Sequence, residues 1–184
     1  MAKKIAAICG SLRKDSYNLA ILKIVCAKLS ELGHEVTLIN INDYDVPLFS
    51  QDIETTTGMP EKVKVMKGIV HSAQAIVIAT PEYNGSVSGV GKNAIDWISR
   101  SLTPDEGQYA SFSGKPAGII AASPGRLGGV RALMHLRHIL GVLGCNVMGK
   151  QVIVPEAHNM NDVSKKELET FATMFDAYIG KLLA

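Results

Sequence analysis

Five short apolar runs recur along the chain, separated by segments with helical length and periodicity. The runs are Ile5–Cys9, Val36–Ile39, Ala75–Ala79, Ala117–Ala122 and Gln151–Val154. The first, third and fourth do not alternate polar with apolar residues. Continuous runs of this length mean burial on both faces, as in a parallel sheet covered by helices. Leu19, Leu22, Ile24, Val25, Cys26 and Leu29 predict a helix over Asn18–Leu32, stopped by Gly33. Pro60 suits a first helical turn, and Val63, Met66, Ile69 and Val70 supply an apolar face up to His71. Further helices are predicted over Ser88–Arg100, Val130–Leu143 (ended by Gly144) and Ser164–Leu183, where Ser164 and Glu167 have capping-box spacing.

This alternation predicts a doubly wound α/β fold. Five strands favour a three-layer sandwich with a parallel sheet in the flavodoxin-like order 2-1-3-4-5. A ligand then binds beyond the carboxyl ends of strands 1 and 3, where the strand order reverses. At 184 residues and 47% hydrophobic content, the chain fits a single domain over 1–184. Asn42–Gly58 is long for a connection in this class, which suggests a functional loop. Thr103–Gly114 is a second polar loop.

Charge and cysteine content narrow the function classes. A net charge of +2 gives no electrostatic reason to expect nucleic acid or an anionic membrane as partner. No run approaches the roughly 20 apolar residues that a membrane span needs. Ile5–Cys9 is too short for a signal core, and Arg13-Lys14 follow closely, so no export signal is read. Cys9, Cys26 and Cys145 form no CxxC pair and read as reduced, mostly buried thiols, consistent with the cytoplasm.

The candidate chemistry lies after strand 1, in Gly10-Ser11-Leu12-Arg13-Lys14-Asp15-Ser16-Tyr17-Asn18. A loop opening a helix presents free backbone N–H groups and the positive end of the helix dipole. Ser11, Ser16 and Asn18 add side-chain donors, and Arg13 adds a planar cation suited to phosphate oxygens. The same residues would also serve as ordinary helix caps beside an exposed arginine. Other phosphate motifs fail on spacing. A dinucleotide turn needs GxGxxG, and only Gly10 is present. A low-molecular-weight tyrosine phosphatase needs Cys followed by Arg after five residues, but Arg13 comes too early after Cys9. No Walker A motif fits around Gly91-Lys92.

After strand 3 the chain reads Thr80-Pro81-Glu82-Tyr83-Asn84-Gly85-Ser86, and further on Lys92-Asn93-Ala94-Ile95-Asp96-Trp97. Together with Gly10-Ser11-Leu12-Arg13 and Asp45-Val46-Pro47-Leu48-Phe49, these segments resemble the NADPH-dependent FMN reductase family, particularly its bacterial chromate and quinone reductase branch. The resemblance implies FMN phosphate contacts from Ser11, Arg13, Ser16 and Asn18. It implies flavin-ring contacts from Pro81, Glu82, Tyr83, Asn84 and Gly85. In Ser123-Pro124-Gly125-Arg126-Leu127-Gly128-Gly129, analogy puts Ser123 near the ring and Arg126 towards a nicotinamide or substrate. One departure is visible: Gly91 stands where relatives commonly carry Leu. That raises a question about the helix start or a subunit contact.

The activity so implied is an FMN-dependent NAD(P)H oxidoreductase, reducing quinones, azo compounds, chromate or free flavin by ping-pong hydride transfer. The flavin performs the chemistry, so no catalytic acid–base pair is expected. The partners are small-molecule electron acceptors, with assembly as a homodimer or tetramer of dimers in which Asn42–Gly58 joins an interface. A flavodoxin-type electron carrier is the alternative, but such carriers are usually acidic, and the sequence pI here is about 8.4. A flavin-free scaffold is a third reading. His135 and His138 share a helical face and read as solvated, and no metal site is expected from them or from Asp43, Asp45 and Asp52. Trp97 reads as core or subunit contact.

Overall fold

The computed structural model describes Met1–Leu183. Its strands are β1 (Lys4–Cys9), β2 (Glu35–Asn40), β3 (Ala75–Ala79), β4 (Glu82–Tyr83), β5 (Ser86–Val87), β6 (Pro116–Ala122), β7 (Asn146–Val147) and β8 (Val152–Val154). Its helices are α1 (Tyr17–Glu31), α2 (Gln51–Thr56), α3 (Glu61–Ser72), α4 (Gly89–Ile98), α5 (Val130–Val142) and α6 (Asp162–Leu182).

The main sheet is parallel, in the order β2-β1-β3-β6-β7, with β8 also on β6. This is the flavodoxin-like arrangement. Every residue of β3 and β6 is buried, which is why their sequences run apolar without alternation. Alternate residues feed two cores. Ala6, Ile8, Ile76 and Ile78 pack with α3, α4 and α5. Ile5, Ala7, Cys9, Ala75 and Val77 pack with α1 and α6. On that second face Gly118 makes room for Phe171, whose ring carbon would lie 2.9 Å from a Cβ at residue 118.

Several elements differ from the sequence expectation. The fifth strand position is shared by β7 and β8, paired with the two ends of β6. Between them Arg137 replaces the missing ladder, donating to the carbonyls of Met148 (2.9 Å) and Gly149 (3.3 Å) and to Gln151 Oε1 (3.1 Å). α6 starts earlier than a capping box at Ser164 requires. Asn161 is its N-cap and accepts from Ser164 N at 3.1 Å, while Glu167 pairs instead with Lys150. Pro60 stands at the N-cap of α3 rather than inside its first turn. The Asn42–Gly58 segment contains α2, which buries no residue and so left no apolar periodicity to read. Lys67, on α3, is fully buried and holds the 103–114 segment by bonds to Ser111 Oγ (2.8 Å) and Glu106. No helix among the described residues is long and apolar enough to cross a membrane.

Candidate functional site

The loops after β1, β3 and β6 meet at the carboxyl edge of the sheet, on either side of the β1/β3 reversal. The first is pinned at its start by Gly10 N donating to Ala79 O at 2.8 Å. Ser16 caps α1 by accepting from Leu19 N at 3.2 Å, and Ser11 Oγ accepts from Arg13 N at 3.3 Å. Each hydroxyl keeps its own hydrogen as a donor. The Arg13 guanidinium is exposed, donates to Asp15 O at 3.1 Å and lies 5.1 Å from the Tyr17 ring centroid. It is thereby held at the loop mouth with further N–H groups available.

Asn18 is nearly fully buried. Its Nδ2 donates to Ala122 O and its Oδ1 accepts from Ala122 N, both at 2.9 Å. The start of α1 is therefore bolted to the end of β6. Cys9, beneath the loop, has its thiol pushed up by burial, against weaker lowering bonds from Ser11 and Ser16. Burial also pushes Cys26 up to about 11 and Cys145 up to about 12. All three stay as thiols near neutral pH.

The second loop is a hairpin, β4 paired antiparallel with β5. Asn84 (φ 51°) and Gly85 (φ 76°) form its turn. Two consecutive positive-φ residues match the twist of a tight hairpin, and Asn-Gly is the pair that tolerates them best. Glu82 does not extend its carboxylate into open space. Its side chain is 8% exposed and is engaged by Arg131 and by the first amides of α5. Burial alone would raise its pKa, but those bonds together hold the carboxyl below its ordinary range.

A cavity of about 210 Å³ lies between the three loops. Of the residues expected from sequence, Ser11, Arg13, Ser16, Asn18, Pro81, Glu82, Tyr83 and Ser123 line it. Asn84, Gly85 and Arg126 are outside this lining: the first two form the hairpin turn, and Arg126 is exposed on the third loop. Tyr17, Ala122 and Pro124 also line it and were not anticipated. Adjacency to Ser16 and Ser123 was the available signal for all three. The donor set of two serine hydroxyls, a helix N-terminus and an arginine fits a phosphate dianion. It is acidic only at Glu82, whose charge Arg131 neutralises.

A neighbouring cavity of about 320 Å³ lies between Leu12 and the 41–47 segment. That segment is held by α4. Asn93 Nδ2 and Trp97 Nε1 both donate to Pro47 O at 2.8 Å, and Asn93 Oδ1 accepts from Phe49 N at 2.7 Å. Phe49 packs edge-on to Trp97 with centroids 5.0 Å apart. These contacts account for Asn93 and Trp97 standing four residues apart on one helical face. His135, expected to be solvated only, is exposed but also meets Ser86 Oγ at 2.9 Å. Gly91 packs against Gly10 and Ser88, where a Cβ would fall 2.8 Å from Ser88 Oγ, so the departure from Leu bears on the start of α4 and its fit to the first loop.

The NADPH-dependent FMN reductase family model matches residues 3–159. An NAD(P)H-dependent FMN reductase of Pseudomonas aeruginosa is 40% identical over 167 residues, covering 90% of this chain and 85% of that protein. A quinone reductase of Escherichia coli is 38% identical over 147 residues, covering 80% and 74%. Among solved structures, the flavoenzyme NAD(P)H:(acceptor) oxidoreductase FerB of Paracoccus denitrificans superposes with a TM-score of 0.78 at 32% identity, covering 98% of both chains. A phosphate-fitting cradle at the sheet's reversal point, on this fold and with these relatives, places the chain in the NADPH-dependent FMN reductase family.

Proposed function

We propose that this protein, an FMN- and NAD(P)H-dependent oxidoreductase, reduces quinones and, in the same open cleft, other small acceptors such as azo compounds, chromate and free flavin. The convergence of Ser11, Arg13 and Ser16 on the N-terminus of α1 is the observation that carries this reading. Those residues, with Asn18, would hold the FMN phosphate. The backbone of Pro81–Gly85 and Ser123 would meet the polar edge of the ring, and Arg126 would face the nicotinamide or acceptor. When bound, FMN supplies a two-electron relay that accepts hydride from NAD(P)H and then reduces the acceptor, in ping-pong order. The chain's part is to bind, orient and leave one face of the ring reachable. Amide donors near the ring's polar edge would favour the negative charge that reduction brings.

The chain reads further as a single domain of cytoplasmic location and as a homodimer or tetramer of dimers. Leu48 and Ile53, both exposed apolar residues of the 42–58 segment, support an interface formed by that segment. A monomeric mass at micromolar concentration would contradict the assembly. The activity is tested by mixing FMN-loaded protein with NAD(P)H without oxygen. Absorbance at about 450 nm should bleach and return on adding a quinone. Bleaching that requires a separate reductase would instead identify an electron carrier, and a protein that refuses FMN would remove the reading altogether.

A further inference from the structure

α5 begins without a cap of its own. Its N-cap is Gly129, at φ 92°, which offers no side-chain acceptor to the first-turn amides. A Cβ at that position would fall 2.7 Å from Ala121 Cβ, so no capping side chain fits there. The acceptor comes from the hairpin instead. Glu82 Oε2 accepts from Arg131 N at 3.1 Å and Ala132 N at 3.3 Å. Glu82 Oε1 accepts from Arg131 Nε at 2.7 Å and also from Nη2. One turn further along α5, His135 Nδ1 meets Ser86 Oγ, on the other strand of the hairpin. With only two residues in each strand, such a hairpin has little stability of its own. Its shape is set by α5.

We infer that Arg131 is a positioning residue for the flavin ring, acting through Glu82 to fix the hairpin whose backbone meets the ring's polar edge. This role rests on the flavin reading proposed above. It divides the work of the site between two arginines: Arg13 acts on the phosphate, and Arg131 acts on the ring without touching it. Glu82 is then a structural link between helix and hairpin rather than a ring contact through its carboxylate.

Riboflavin has the ring of FMN but no phosphate, which separates the two roles. The dissociation constants of both flavins are to be measured by flavin fluorescence for the native protein, Arg131→Met, Arg131→Lys, Glu82→Gln, the Arg131→Met/Glu82→Gln double variant and Arg13→Ala, with Tm recorded for each. Arg131→Met and Glu82→Gln should weaken FMN and riboflavin by the same factor, on the order of tenfold. The double variant should lose no more than either single one, because both remove one interaction. Arg131→Lys should recover part of the loss. Arg13→Ala should weaken FMN alone. If riboflavin binds the native protein too weakly to measure, the FMN losses of Arg13→Ala and Arg131→Met should multiply when the two are combined. The proposal is overturned if Arg131→Met lowers Tm while both affinities stay at native values, or if it weakens FMN and spares riboflavin. A native protein that binds neither flavin overturns the flavin reading itself, and this role with it.

Discussion

Ser88 Oγ donates to the Gly10 carbonyl oxygen at 2.5 Å, tying the turn after β1 to the helix that follows the hairpin. Ser88 Oγ itself accepts from Gly91 N at 3.1 Å, so Ser88 is at once the N-cap of α4 and the anchor of the first loop. Ser88 is fully buried. Ser88→Ala should therefore cost about 2 kcal/mol, for a lost cap and a buried carbonyl left without its donor. A Cβ at Gly91 would fall 2.8 Å from Ser88 Oγ. Gly91→Ala should consequently destabilise more in the native background than in the Ser88→Ala background. Urea denaturation of the two single variants and the double variant measures this coupling, and simple additivity would refute the clash.

The clamp on Pro47 can be weakened without emptying the core. Trp97→Phe keeps most of the buried ring but removes the donor to Pro47 O. About 1 kcal/mol of stability should be lost. Asn93→Ala removes bonds at both Pro47 and Phe49 and should cost about twice that. Hydrogen exchange should rise at the Phe49 amide in Asn93→Ala, while protection in β1 and β3 stays at its native level. Uniform loss of protection would mean that the clamp supports the whole fold rather than this one segment.

Much of the architecture was legible because it is written in local pattern. The continuous runs of β1, β3 and β6 encode burial on both faces, and Gly33 and Gly144, both at positive φ, stop α1 and α5 where expected. What escaped the sequence reading depends on partners far apart in the chain. The carboxylate of Glu82 caps a helix that begins 48 residues later, and no spacing rule announces such a cap. β4 and β5 are too short to show a period of two. Arg137 stands in for strand pairing at a stretch, Met148–Gln151, that carries no alternation of its own. In the site, the phosphate-type residues were readable because they flank a predicted helix start. The Pro47 clamp was not, since its carbonyl acceptor lies nearly 50 residues from its donors.

The Glu82 cap should make the hairpin sensitive to acid. Its carboxyl titrates below its ordinary value of 4.5 in the folded chain, so the folded state binds fewer protons than the unfolded one in that window. Stability supplied by Glu82 is therefore complete above about pH 5 and is lost as pH falls through the depressed folded value. Glu106 is also held low, burial opposing and the bonds from Leu102 N and Lys67 lowering, so the native protein alone reports both groups. The difference in unfolding free energy between native and Glu82→Gln protein isolates Glu82. It should be constant near neutrality, about 2 kcal/mol, and shrink towards zero in acid. A difference that grows as pH falls would contradict the assigned direction.

Arg13 should act on flavin affinity through the phosphate. Arg13→Ala should cost about 1.5–3 kcal/mol of FMN binding if its charged bonds form. Its effect on Tm in the absence of flavin should be small, because the side chain is exposed and its one internal bond is to Asp15 O. Fluorescence titration checks the first statement and thermal unfolding the second. Unchanged FMN affinity would reject the role.

Asn18 separates the structural from the electrostatic side of the same loop. Its amide is matched to Ala122, donor to acceptor and acceptor to donor. Asn18→Asp preserves shape and can still accept from Ala122 N, but its other oxygen then faces the Ala122 carbonyl. Two acceptors confronting each other in a buried site should cost about 2 kcal/mol of stability. Asn18→Ala should cost a similar amount by leaving both backbone groups of Ala122 unpaired. The two variants should part company on the ligand. A carboxylate there places a negative charge at the rim of the cavity where a dianion is to sit, so Asn18→Asp should weaken FMN far more than riboflavin. Asn18→Ala carries no charge and should leave the ratio of the two affinities nearer its native value. Equal FMN-to-riboflavin ratios in the two variants would show that the phosphate is bound away from the N-terminus of α1.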